Sequence, residues 1–82
     1  MTERERVEIR DAEIQLGQVL KLHGVAEHGA MAKDMIAAGE VLVNGEPDTR
    51  RGKRLHVGDV VAVPAAGVEF EIASRGQSAP LR

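Results

Sequence analysis

Apolar positions along this chain recur with two different periods, and the changes of period mark out a strand, two helices and a series of short strands. Residues 7 to 10, "VEIR", alternate Val7 and Ile9 with Glu8 and Arg10, the pattern of a short half-buried strand. From Glu13 to Leu22 the spacing changes. In "EIQLGQVLKL" Leu16, Val19 and Leu20 fall on one side, Gln15, Gln18 and Lys21 recur every three residues on another, and Gly24 follows as a stop. This predicts an amphipathic helix over 13–22. Gly17 within it costs about 1 kcal/mol relative to Ala, so it either admits a close backbone approach or marks a marginal helix. The stretch "GAMAKDMIAAGE", residues 29–40, predicts a second helix, with Ala32, Met35 and Ile36 at packing spacing and Gly39 as its C-terminal cap. Lys33 and Asp34 then face solvent, and Met31 and Met35 are expected to fill the core.

"VLVNGE" follows at once: three apolar residues and an Asn44-Gly45 pair, the strongest short-range hairpin signal because both positions accept positive φ. Pro47 keeps the next segment short or at an edge. Gly58-Asp59 marks a turn, "VVAV" at 60–63 a buried strand, and Pro64 to Gly67 another turn. "VEFEI" closes the pattern with Val68, Phe70 and Ile72 alternating with Glu69 and Glu71. Residues 74–82 carry no periodicity and read as a flexible tail. The expected fold is α+β, one domain over 1–73, with two helices packed against a small, mainly antiparallel sheet of short strands.

Composition narrows what such a domain can do. At 82 residues the chain buries only about 60 to 65% of its unfolded surface, so the core is small. It has no cysteine, hence no disulfide framework and no thiolate metal site, and the cytoplasm is the default compartment. Neither a signal peptide nor a membrane span is legible, and no membrane partner is expected. Phe70 is the one aromatic residue, which excludes a platform on which bases stack and weakens any case for a small-molecule pocket. No cofactor or small-molecule substrate is expected.

The formal net charge is −2, yet four of the eleven Lys and Arg residues, Arg50, Arg51, Lys53 and Arg54, stand within five positions. Five acids among the first thirteen residues mask this cluster in the total. Gly52 argues for a turn that projects the cations outward. Each pair at 4 Å repels by about 1 kcal/mol in water, a cost that a polyanion offsets; phosphates fit, since Arg binds them bidentately and Lys as a point charge. The plainer reading is a solvated loop that keeps a sheet edge from aggregating. Lys21 and Lys33 would extend the patch if both helices pack beside the loop.

From Gln15 to Val63 the chain resembles the S4-like RNA-binding domain, named after a ribosomal protein and built on the alpha-L motif, in its small stand-alone bacterial form. The resemblance rests on "LGQVLKLHGV", "HGAMAKDMIAAGEV", "VLVNGE", "DTRRGKRL" and "VGDVV". It implies an L-shaped helix pair on a small antiparallel sheet, with structured RNA bound across the helices and the loop. On matching positions it implies RNA contact by Lys33, Thr49, Arg50, Arg51, Lys53 and Arg54, and turn-forming roles for Asn44, Gly45 and Gly58; Asn44 could add a hydrogen bond to the RNA. It also implies partners on the ribosome, ribosomal proteins included, and a role in ribosome biogenesis or translation. Two departures stand out. Many members begin the first helix with Arg-Leu-Asp, where this chain has Gln15-Leu16-Gly17, and many place Ser-Arg where it has His28-Gly29. Weaker binding, carried more by the loop, is the expectation.

Rival functions leave weaker traces. A protein-docking module would set the basic loop against an acidic partner and use "VEIR" or "VEFEI" to augment its sheet. An enzyme has little support, because "GKR" at 52–54 lacks the glycine frame and Ser/Thr of a nucleotide-binding loop. His23 and His28 are five residues apart, not the helical spacing of a zinc pair, and read as turn or surface residues. His56, beside the loop, would add charge below about pH 6.5. Asp59 reads as a turn former.

Overall fold

The computed structural model describes residues 5–74. The chain runs β1 (Glu5–Ile9), β2 (Glu13–Gln15), α1 (Leu16–Leu22), α2 (Gly29–Ala37), β3 (Leu42–Val43), β4 (Glu46–Pro47), β5 (Arg54–His56), β6 (Val60–Val63), a 3-10 turn (Pro64–Ala66) and β7 (Val68–Ser74). Five strands form one sheet in the order β1-β7-β6-β3-β4, while β2 and β5 form a separate antiparallel pair. Both helices, the larger sheet and the β2–β5 pair share one core, in which Phe70, Leu16, Leu20, Ile36, Leu55 and Ile72 are fully buried. The architecture is the expected α+β fold.

Several expectations hold in detail. Val7 and Ile9 are buried while Glu8 is exposed, so β1 has the alternation read from the sequence, one residue earlier at its end. Leu16, Val19 and Leu20 form the buried face of α1. Asn44 and Gly45 take positive φ, 52° and 90°, and close a two-residue hairpin that pairs Val43 with Glu46. In β6 and β7, Val61, Val63, Phe70 and Ile72 point into the core.

The expectations for the start of the first helix and for Met31 are corrected. The first helix begins at Leu16, because Glu13, Ile14 and Gln15 pair with His56, Leu55 and Arg54 as a strand; a tertiary pairing overrides local helical spacing. Met31 is an exposed side chain, not core filler, and its sulfur accepts the Glu27 N–H at 3.5 Å in the turn before α2, while Met35 does pack against the core. The sheet is mainly antiparallel, as expected, with one parallel pair in which β1 lies along β7 and Val7 stands opposite Ile72. A parallel pair needs a long crossover, and here the whole intervening chain supplies it. Ser74, assigned to the tail, ends β7 opposite Ile9, and the rest of the expected tail lies outside the described residues.

Candidate RNA interface

The basic segment has a defined backbone. The Lys53 N–H donates to the Arg50 carbonyl at 3.1 Å, closing a turn with Arg51 and Gly52 at its tip. Arg54 then enters β5 opposite Gln15. The turn is docked on α1: the Leu16 N–H donates to the Lys53 carbonyl at 2.8 Å and the Gly17 N–H to the Arg51 carbonyl at 3.1 Å. The first amides of a helix have no partner within it, and Gln15 provides no side-chain cap. The basic loop therefore completes the start of α1, and α1 in turn fixes the loop.

The four cations of the loop differ in what they are free to do. Arg50 is clamped by Asp48, its Nε donating to Oδ1 at 3.1 Å and its Nη2 to Oδ2 at 2.9 Å, while the Arg50 N–H also reaches Oδ1. These hydrogen bonds hold the Asp48 carboxyl below the usual carboxylate range and raise the Arg50 guanidinium further above its own. Arg54 lies 3.3 Å from Glu13, whose other oxygen is 3.6 Å from His56. Arg51 and Lys53 make no ion pair among the described residues.

Two clefts flank this ridge. One, of about 700 Å³, gathers Asn44, Thr49, Arg50, Lys53, Arg54 and His56, with the acids Glu46, Asp48 and Asp59 in its walls. The other, of about 220 Å³, lies between the helices and the loop and is lined by Gln15, Gly17, Gln18, Lys21, Gly29, Ala32 and Arg51, so its charged groups are both cations. Lys33 is exposed and lines neither cleft, but it follows Gly29 by four residues and so continues the same helical face. The predicted residues thus divide between the two clefts, with Asn44, Thr49, Arg50, Lys53 and Arg54 on one and Lys21 and Arg51 on the other, and Lys33 outside both.

Asn44 shares the larger cleft but spends its side chain internally. Its Oδ1 accepts the Val60 N–H at 3.0 Å and its Nδ2 donates to Asp59 Oδ1 at 3.2 Å. The other Asp59 oxygen accepts the His56 N–H at 2.8 Å, so Asp59 is the turn former expected of it. The histidines have structural partners that sequence reasoning missed. His28 caps α2, its Nδ1 accepting the Met31 N–H at 3.3 Å, which is the service a serine gives at that position. His23 closes α1, sets its ring tilted at 47° with its centroid 4.6 Å from that of Phe70, and bonds Glu5 on β1. A polar residue directly before a helix is the signal that could have identified His28. Of the two strands considered for sheet augmentation, β7 is enclosed between β1 and β6, and β1 keeps an outer edge.

A small α+β domain that presents a cationic ridge fastened to a two-helix platform is the class these features define. Its lineage is equally clear: the chain belongs to the S4 domain family, whose model matches residues 7–73. It is 56% identical over 54 residues to the probable ribosome maturation protein RlbA of Bacillus subtilis, an alignment covering 66% of this chain and 76% of that protein. To the putative RNA-binding protein YbcJ of Escherichia coli it is 38% identical over 56 residues, 68% of this chain and 80% of YbcJ. The solution structure of YbcJ, described as revealing an alpha-L motif involved in RNA binding, matches with a TM-score of 0.66 at 31% identity, over 90% of this chain and 92% of that one. No helix among the described residues is long and apolar enough to cross a membrane.

Proposed function

We propose that this domain is a non-catalytic RNA-binding protein that grips the phosphate backbone of structured RNA, and that it acts in the cytoplasm in ribosome maturation or translation. One observation carries the reading: Arg51 and Lys53, without ion-pair partners among the described residues, sit on a ridge whose backbone is hydrogen-bonded into a helix. Such a ridge presents charge without having to order it on binding. The kinship with proteins named for ribosome maturation and RNA binding supports RNA as the polyanion.

The mode follows from the residues present. Phe70 is wholly buried, so no base can stack on it. Arg and Lys cannot read the deep major groove of an A-form helix, which leaves phosphates, 2′-hydroxyls and shape. Arg51 and Lys53 take the central phosphates, Lys21 and Lys33 extend the contact along the helices, and Thr49 donates a hydrogen bond beside them. Arg50 and Arg54 contribute while retaining or exchanging their carboxylates, and Asn44 holds the adjacent hairpin in shape.

Neutralising four to six phosphates gives a log–log salt slope of roughly −3 to −5 on duplex RNA. The test is fluorescence anisotropy of labelled structured RNAs over a salt series, with the natural protein and Arg51→Glu/Lys53→Glu. The double variant is expected to keep its circular dichroism spectrum and lose at least about 100-fold in affinity at low salt. A slope near −1, or undiminished binding by the folded variant, would remove the ridge as the RNA site. No RNA binding at low salt, with a protein complex that survives nuclease, would favour the docking alternative.

A further inference from the structure

Gly17 has no conformational reason to be glycine. It lies in the first turn of α1, and its φ is outside the left-handed region that the turn glycines Gly24, Gly39, Gly45, Gly58 and Gly67 occupy. Glycine in a helix is worse than alanine, because it has more backbone freedom to lose. What alanine would meet is specific. A Cβ at residue 17 would lie 2.8 Å from Arg51 Cγ and 3.4 Å from Cδ, but 3.6 Å from the Arg51 carbonyl oxygen. The aliphatic stem of Arg51 thus lies over the bare Cα of Gly17, while the loop backbone keeps ordinary contact distance. An added methyl would meet Cγ first, a clash relieved by rotating the Arg51 side chain about its Cα–Cβ bond, while the carbonyl that accepts the Gly17 N–H stands at ordinary contact distance.

The same contact sets where the Arg51 charge goes. The cleft between α1, α2 and the loop receives Lys21 from α1 and Arg51 from the loop, whereas its other lining residues, Gln15 at the end of β2 and Gly17, Gln18, Gly29 and Ala32 on the helices, carry no charge. Resting on the proposed RNA-binding function, we infer that Gly17 is a positioning residue for binding: it lets Arg51 lie across α1 and supply this cleft with a phosphate-binding cation that α2 does not provide. Folding does not require the glycine; the placement of one guanidinium does.

The experiment pairs Gly17→Ala with Arg51→Ala, singly and together, on a labelled RNA hairpin that the natural protein binds, reading thermal midpoint, affinity and salt slope. Gly17→Ala is expected to melt at or above the natural protein, to bind roughly three- to ten-fold more weakly and to lose about one phosphate from the salt slope. Arg51→Ala should lose a similar amount, and the double variant no more than Arg51→Ala alone. Natural affinity in Gly17→Ala, beside weakened Arg51→Ala, overturns this inference and leaves RNA binding standing. An equal further loss when Gly17→Ala is added to Arg51→Ala also overturns it, as does a clearly lower melting point. Absence of RNA binding by the natural protein overturns both readings together.

Discussion

Two glycine-containing turns stand close together in this chain, Asn44-Gly45 and Arg51-Gly52, and they differ in where their polar groups go. At the first, both ends of the Asn44 amide are used inside the protein, by Val60 and Asp59, and Asp59 in turn holds His56. At the second, the backbone is equally well tied, to Leu16 and Gly17, yet the Arg51 side chain has no ion-pair partner among the described residues. One turn closes on itself and the other is held open. A rigid backbone carrying unsatisfied charge marks a binding surface, because the cost of assembling like charges has been met by the fold and is relieved only by a ligand.

The largest test of that contrast is Asn44→Ala. It leaves the Val60 N–H without its acceptor and places a methyl side chain at a φ of 52°, so unfolding stability should drop by roughly 1 to 3 kcal/mol in urea titrations. RNA affinity measured where both proteins are folded should stay within about two-fold. A large affinity loss in a folded Asn44→Ala protein would break the distinction between the two turns.

A smaller effect concerns Asp48, which stands between them. Its carboxyl is held below the ordinary range chiefly by the Arg50 side-chain hydrogen bonds, so the folded state favours the ionised form. The stabilisation is therefore present above about pH 4, the unfolded carboxyl's range, and is lost as pH falls through the lowered folded value. Asp48→Asn should melt below the natural protein at pH 7, and the two melting curves should converge in acid. A difference that does not narrow as pH falls below about 4 would place the effect elsewhere. The smallest expected change is for Lys33→Ala, which removes an exposed cation outside both clefts: a two- to three-fold loss of RNA affinity, about one phosphate contact at its weakest, with unchanged stability.

Much of this was legible in the residues. The Asn44-Gly45 signal, the alternation in β1, β6 and β7 and the apolar face Leu16, Val19 and Leu20 each encode a local geometry that the fold retains. The crowding of Arg50 to Arg54 identified the ridge, since charge density needs no coordinates to be seen. Misreadings fell where long-range pairing decided the outcome. Glu13 to Gln15 have helical spacing but are drawn into a strand by residues 54–56, forty positions away, and Met31 has a core spacing but serves the turn before its helix.

The sequence by itself determined both helices, the β1, β6 and β7 strands, the Asn44-Gly45 hairpin, the basic segment and the likeness to a family, because helix and strand periods, turn glycines and local charge are properties of neighbouring residues. Only the tertiary structure decided which cations are free and where they point. Asp48 neutralises Arg50, Glu13 reaches Arg54, and Gly17 makes room for Arg51. The last two pairings join segments remote in the chain, and even between neighbours such as Asp48 and Arg50 the side-chain geometry decides, because Coulomb energy and steric contact act on distance in space, to which spacing in sequence is blind.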